Sequence, residues 1–428
     1  MITASAFAGK NFAVYGLARS GIATAAALIA SGARVTAWDA REDARAKAPA
    51  GTCIANLDEI KLGEFDSLIV TPGLPINRHP IARRARSAGI EVIGDIELFA
   101  RARPELSPHK VVGITGTNGK STTTALIHHI LKTAGMQTTM AGNIGLPILA
   151  QDPLGDGGVY VLELSSYQID LTKSLDCNVA VLLNVTPDHL DRYDGFEAYR
   201  NSKMRLFEMQ SPSHVAVFTG DDQFGYDAYQ NRWDATHDTT VLVVRDDAVD
   251  QEHWPALQGP HNAQNAAAAI AACNALGIGE GEIELGLRSY PGLPHRMERI
   301  GEKGGIFFVN DSKATNPTAT APALAAFERI RWICGGQAKS DNLDECAPHF
   351  DHVIKAYTIG EAGELFARLL LPHMEVAECR TLERAVGSAA SEAERGDTVL
   401  LSPACASFDQ FRDFEDRGDQ FRALVGTK

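Results

Sequence analysis

The sequence predicts an α/β protein of three domains built on largely parallel sheets, and three observations carry that expectation. Residues 111–123 begin as a short apolar run, turn at glycines and continue as a helix-compatible segment to about Thr133. Near the N-terminus, residues 11–16 and 34–39 read as strands on either side of an alanine-rich helix, 21–30. In the last third, residues 305–310, 330–334, 352–358 and 398–402 alternate with helical patterns.

The bulk properties bound the function. A chain of 428 residues is too long for one ordinary core, and 45% apolar with 22% charged residues is globular rather than disordered or fibrous. The net charge of −14 argues against a general nucleic-acid or membrane-surface binder, so any polyanionic ligand must be held by local groups. Seven cysteines are scattered and never paired as Cys-x-x-Cys, which disfavours a disulfide framework or zinc site and fits a reducing cytoplasm. Residues 1–10 lack a secretion-signal pattern, and no apolar run approaches the roughly 18 residues of a membrane span. A cytoplasmic protein is expected.

Taken in order, the first hundred residues read as a dinucleotide-type unit. Gly16 and Gly21 hold the first and last positions of Gly-x-Gly-x-x-Gly, and Asp39 stands about 20 residues on, where a ribose-binding acid sits. Ala18 occupies the middle position, where glycine lets backbone approach a pyrophosphate. That disfavours an NAD-dependent oxidoreductase and favours a Rossmann-like unit for some other nucleotide, with a ligand-free turn left open. Residues 67–70 then run into Thr71-Pro72-Gly73, at the ligand-bearing edge of such sheets. Residues 102–108, polar and broken by two prolines, read as a linker. Strands are expected at 111–115, 158–164, 179–185, 214–219 and 240–244, and helices at 119–134, 197–208 and 262–276. Residues 289–294 mark the next boundary. The expected domains are therefore 1–103, Rossmann-like; 104–291, P-loop ATPase-like with a mostly parallel sheet; and 292–428, again Rossmann-like.

In the central stretch, a strand, a glycine-rich turn and a helix wrap backbone N–H groups around phosphates. Lys120 is placed to reach the outer phosphates, and the hydroxyl of Ser121 or Thr122 to ligate Mg²⁺. The loop departs from the usual spacing, because Ile114 stands where a glycine is expected and glycines fall at 113 and 116. Glu163 ends an otherwise apolar run, where an acid is costly unless paired or metal-bound; an acid at the strand's wet end is the alternative. His189 and its acidic neighbours also emerge from a strand end, although a lone loop histidine is usually just solvated. Residues 310–316, 335–339 and 401–407 form three strand-end loops offering cations and hydroxyls, and together read as a site for a small carboxylate. Ser407 is placed to cap a following helix carrying Phe408, Phe411, Phe414 and Phe421, a stripe more often core than site.

These residues resemble one family, the ATP-dependent Mur ligases of peptidoglycan synthesis. The resemblance spans the chain and rests on residues 115–121, Gly142-Asn143-Ile144-Gly145, Leu162-Glu163-Leu164-Ser165-Ser166, Asp311-Ser312-Lys313-Ala314-Thr315-Asn316 and Ser402-Pro403-Ala404-Cys405-Ala406-Ser407. The fourth of these points to members that add D-glutamate to UDP-N-acetylmuramoyl-L-alanine. The resemblance implies ATP held by Gly116, Thr117, Asn118, Gly119, Lys120, Ser121, Thr122 and Thr123, with Asn262, Asn265, Arg296 and Asp311. It implies two Mg²⁺, one near Ser121 and Glu163 and one near His189 and Lys203, the latter lysine carbamylated by CO₂. Lys120, Glu163, His189 and Lys203 are the implied catalytic set. From its own position alone, Lys203 reads as a surface lysine on a helix. UDP contacts carry over to Arg19, Ser20, Asp39, Arg41, Thr71 and Asn77, and contacts to the muramoyl-alanine portion to Asn143, Ser165 and Gln168. The D-glutamate site carries over to Thr315, Lys339, Ser407 and Phe414, with Lys313 nearby. A monomer that closes around its substrates is expected. A Mur or folate-type ligase for another amino acid, and a non-enzymatic nucleotide-sugar sensor, remain as alternatives.

Overall fold

The computed structural model describes residues 1–189, 192–220, 223–233, 239–243 and 251–426. Asp191 and residue 244, both part of the expectations above, lie outside them. The chain forms two compact units, Met1–Asp247 with Gln264–Leu287, and Ala248–Ala263 with Arg288–Lys428.

The first unit holds two all-parallel sheets. In the first, β1 (Asn11–Tyr15), β2 (Arg34–Trp38), β3 (Cys53–Ile54), β4 (Ser67–Val70) and β5 (Glu91–Ile93) are ordered β3-β2-β1-β4-β5. Alternation along β1 sends Phe12 and Val14 to one face and Ala13 and Tyr15 to the other, and each pair joins its own apolar cluster. Gly16 has φ +99°, and a Cβ at Gly21 would run into the Gly16 carbonyl. Those two glycines therefore let the helix Arg19–Ala30 pack against the turn after β1.

The second sheet comprises β6 (His109–Thr115), β7 (Thr138–Gly142), β8 (Gly158–Glu163), β9 (Val179–Leu182), β10 (Val215–Thr219) and β11 (Thr240–Val243), ordered β11-β10-β9-β6-β8-β7. Every residue of β8 and β9 is buried, as a parallel sheet covered on both faces requires. The chain order reverses between β6 and β9, which puts the glycine-rich turn at the switch point. One apolar cluster runs from Phe12 and Val14 through Phe99 to Tyr160 and Leu162, joining the two sheets of this unit.

The second unit is a third sheet of β12 (Glu298–Lys303), β13 (Ile306–Asn310), β14 (Ile330–Gly335), β15 (Val353–Ile359), β16 (Glu375–Arg380) and β17 (Thr398–Leu401), ordered β12-β13-β17-β14-β15-β16. Only the β12–β13 pair is antiparallel. Trp332 and Leu400 face one apolar cluster, and Ile333, Val399 and Leu401 the other.

Two expectations need correction. Residues 102–108 are not a free linker: the helix Asp95–Ala102 continues as a turn, Arg103–Glu105, and the Glu105 carboxylate accepts from the Ser5 and Ala6 N–H groups at 2.6 and 2.8 Å. Nor does Ser407 cap a helix. Residues 408–413 are turns, the helix is Phe414–Gly426, and Phe408 is exposed while Phe421 is core. Two aspartates, an arginine and a glutamine among residues 409–413 favour hydrogen-bonded turns over helical continuation.

Candidate active site

The turn after β6 is a cradle of backbone donors. Gly116 and Gly119 take φ +149° and +83°, and side chains there would strike Leu183 and Asn184, and Asn265, respectively. The turn is pinned from β9: Thr117 N–H donates to the Asn184 carbonyl at 2.7 Å and Asn118 N–H to Asn184 Oδ1 at 2.9 Å. Lys120 Nζ folds back on the carbonyls of Gly116 and Thr117 at 3.0 and 2.7 Å. Ser121, Thr123 and Thr124 are buried in the first turns of the helix Lys120–Thr133, with Thr122 beside them, and Thr123 Oγ1 donates to Asn265 Oδ1 at 3.3 Å.

Glu163, at the C-terminal end of β8, is 2% exposed. Its Oε1 accepts from Asn143 Nδ2 at 2.8 Å, whereas its buried Oε2 has no hydrogen-bond partner. An acidic oxygen left so is destabilising unless a cation completes it. Among the described residues no group of three or more His, Cys, Asp or Glu could hold a metal, so a cation at Glu163 would draw its other ligands from hydroxyls, phosphates or a modified side chain.

Lys203 is 1% exposed, with Nζ 2.7 Å from the Gly116 carbonyl and 4.5 Å from the Tyr199 ring centroid. Burial, then the neighbouring Lys120 charge, hold its ammonium well below the ordinary lysine range. The surface-lysine reading is thus corrected: Tyr199, Lys203 and Leu206 recur at helical spacing on the buried face of the helix Phe196–Glu208. His189 has φ +55°, and its ring lies 5.0 Å from that of Tyr167 and 6.2 Å from that of Tyr199. Its N–H donates to Asp188 Oδ1 at 2.8 Å.

The first-sheet loops meet the second-sheet loops within this unit. Asp39 accepts from the Leu17 N–H at 2.8 Å and the Arg41 N–H at 3.0 Å; burial raises its pKa, but these bonds and the Arg41 guanidinium outweigh it and hold the carboxyl below its ordinary range. Arg19 donates to the Gly145 carbonyl at 3.0 Å, and Asn77 to the Arg192 carbonyl at 3.1 Å. Ser20 and Thr71 line a small pocket with Asp95 between β1 and β4. Ser165 and Gln168 form a capping box on the helix Ser166–Asp170.

In the second unit, the loops after β13, β14 and β17 converge. Arg417, absent from the sequence reading, is fully buried and donates to Ser312 Oγ, the Ser312 carbonyl and the Cys405 carbonyl at 2.9, 2.8 and 3.1 Å. Burial lowers its guanidinium to about 10, still charged at neutral pH. Asp311 accepts from Ser402 Oγ at 2.8 Å and the Met297 N–H at 3.2 Å, yet burial pushes its carboxyl up to about 7. Lys313 Nζ sits 3.7 Å from the Phe414 ring centroid. Ser407 is buried, Lys339 exposed and Thr315 intermediate. Asn262, Arg296 and Asp311 belong to this unit, while Gly116–Thr123 and Asn265 belong to the other.

A glycine-rich turn at a parallel-sheet switch point, followed by a helix whose first residues are Lys-Ser-Thr, defines a P-loop α/β protein. Three family models divide the chain: the MurD-like N-terminal domain of Mur ligases over residues 10–94, the Mur ligase middle domain over 114–253, and the Mur ligase glutamate ligase domain over 295–405. The chain belongs to the Mur ligase family. It is 60% identical over 427 residues to the UDP-N-acetylmuramoylalanine–D-glutamate ligase of Novosphingobium aromaticivorans, covering 99% of this chain and 96% of that one. Identity to the proteins of the same name from Sphingopyxis alaskensis and Zymomonas mobilis is 57% and 55%, over 99% of each chain. The fold is shared with UDP-N-acetylmuramate-alanine ligase of Thermotoga maritima (TM-score 0.59, 17% identity, 98% and 99% of the two chains covered). It is also shared with the MurF ligase of that organism in complex with ADP (TM-score 0.60, 16% identity, 99% and 97%).

Proposed function

We propose that this protein is an ATP-dependent, ADP-forming ligase that joins D-glutamate to UDP-N-acetylmuramoyl-L-alanine in cytoplasmic peptidoglycan precursor synthesis, acting as a monomer. The observation that carries the reading is 60% identity over 427 residues to a relative named for D-glutamate addition.

In this reading residues 1–103 take the UDP moiety through Arg19, Ser20, Asp39, Arg41, Thr71 and Asn77. Residues 104–291 take ATP and the muramoyl-alanine portion, the latter through Asn143, Ser165 and Gln168. Residues 292–428 take D-glutamate through Lys313, Thr315, Lys339, Ser407 and Phe414, and Asn262, Asn265, Arg296 and Asp311 complete the ATP site. The L-alanine carboxylate attacks the γ-phosphorus, breaking its bond to the bridging oxygen and releasing ADP. The D-glutamate amine then attacks the acyl phosphate carbon, loses a proton as the C–N bond forms, and phosphate departs.

The backbone donors of Gly116–Thr123 orient the phosphates, and Lys120 meets the charge of the outer ones. The orphaned Glu163 Oε2 and the buried Ser121 hydroxyl would hold one Mg²⁺. Lys203, whose burial favours the neutral amine that CO₂ captures, would with His189 hold a second as its carbamate. Mg²⁺ bound there would neutralise charge on the transferring phosphoryl group.

The test is phosphate release with ATP, Mg²⁺ and UDP-N-acetylmuramoyl-L-alanine, adding D-glutamate, L-glutamate, L-alanine or diaminopimelate separately. Release with D-glutamate alone, and a product heavier by one glutamyl residue, is expected. Release with a different amino acid would sink the D-glutamate assignment, and release with none would favour a sensor.

A further inference from the structure

We propose that Arg192 is a positioning residue that couples the UDP-binding loop after β4 to the His189 turn and Tyr167, so that the UDP-sugar acceptor and ATP strengthen each other's binding. This rests on the function proposed above. Arg192 engages both sides at once. One terminal guanidinium nitrogen donates to the Leu74 carbonyl at 2.6 Å and to the Pro72 carbonyl at 3.3 Å. The Arg192 carbonyl accepts from Asn77 Nδ2 at 3.1 Å, so the same residue grips the loop at its start and its end.

On the other side, the guanidinium carbon lies 3.6 Å from the Tyr167 ring centroid, a stacked cation–π contact. That ring is 5.0 Å from the His189 ring, and the Arg192 N–H donates to the His189 carbonyl at 2.9 Å, closing the turn on which His189 stands at φ +55°. A simple tie between two domains needs only one of these contacts. Here a terminal nitrogen and the flat face of one side chain are divided between the loop proposed to hold the nucleotide and the turn proposed to serve phosphoryl transfer. Only arginine does this, because its planar fork donates in-plane while its face stacks; a lysine ammonium has no such face.

A substrate that settles the 72–77 loop fixes Arg192, and Arg192 in turn fixes Tyr167 and the His189 turn. Linkage then requires the reciprocal: ATP bound against an ordered His189 turn favours the nucleotide end. The experiment is equilibrium binding of the β,γ-imido analogue of ATP with Mg²⁺, with and without saturating UDP-N-acetylmuramoyl-L-alanine. Wild-type protein is compared with Arg192→Lys, Arg192→Ala and Tyr167→Leu, each checked for an intact thermal transition. In wild type the acceptor should tighten the analogue about tenfold. In Arg192→Ala that factor should fall below about twofold while the analogue alone binds as before, and in Arg192→Lys and Tyr167→Leu it should fall at least about threefold. Steady-state rates should show a raised KM for the acceptor with little change in that for D-glutamate.

Undiminished coupling in Arg192→Ala, or none in wild type, overturns the inference. Should Arg192→Ala fail to fold, unchanged coupling in both Arg192→Lys and Tyr167→Leu does so instead. Wild-type protein that shows the coupling but releases no phosphate with D-glutamate would refute the functional reading and leave this inference standing.

Discussion

Asp95 is a carboxyl placed where water does not reach. Its Oδ1 accepts from the Ile96 N–H, but burial dominates and pushes its pKa up to about 6 from 3.8. The folded state therefore holds this proton more tightly than the unfolded chain. The stabilisation is complete below about pH 4 and is lost as pH rises through about 6, above which a burial cost of about 3 kcal/mol persists. Asp95→Asn, which keeps an acceptor without the charge, should raise stability at pH 7–8 and flatten the pH 4–6 slope in urea melts; a slope identical to wild type would refute the assignment. At this scale sequence legibility was uneven. The glycines at 116 and 119 declared themselves, because only a φ-permissive residue suits that turn. Lys203 did not, because a charged residue on a helix is judged solvated by its type, although its place four residues after Tyr199 and three before Leu206 put it on the apolar stripe. Arg417 and Arg192 left no signal, since their partners are mostly backbone carbonyls far away in sequence.

Between residue and molecule, the strands that sequence reading missed share a cause. β3, β5, β7, β12 and β16 are all sheet edges. Interior parallel strands are buried on both faces and read as unbroken apolar runs, as β8 and β9 do. Edge strands are interrupted by charged residues, as in Glu298–Lys303 and Glu375–Arg380, or are only two or three residues long. The loops of the third sheet show the opposite arrangement, in which a buried charge organises irregular backbone. Arg417, from the helix Phe414–Gly426, satisfies carbonyls in the loops after both β13 and β17. Arg417→Ala should cost about 3 kcal/mol in urea unfolding, because those carbonyls lose their donor inside the protein. It should also raise the KM for D-glutamate more than that for ATP. A stable variant with an unaltered D-glutamate KM would show that the two loops hold their positions without it.

For the molecule as a whole, the ATP ligands proposed above are assigned to residues of both compact units, and closure around the substrates is therefore expected. Small-angle scattering should show a smaller radius of gyration with the ATP analogue, Mg²⁺ and UDP-N-acetylmuramoyl-L-alanine than without them, and superimposable curves would count against closure. A net charge of −14 adds a constraint, because ATP, the UDP-sugar and D-glutamate are all anions approaching an anionic protein. The long-range field repels them, and attraction begins only at close range. There, Lys120 rests on the Gly116 and Thr117 carbonyls, and Lys203 shares the first of these. A phosphate arriving at the loop is therefore a competitor for the Lys120 ammonium, which already has acceptors. Capture becomes an exchange of oxygens, carbonyl for phosphate, and a singly charged anion that offers one weak acceptor gains little by displacing two good ones. The resting loop is thus expected to favour highly charged phosphates over small singly charged anions.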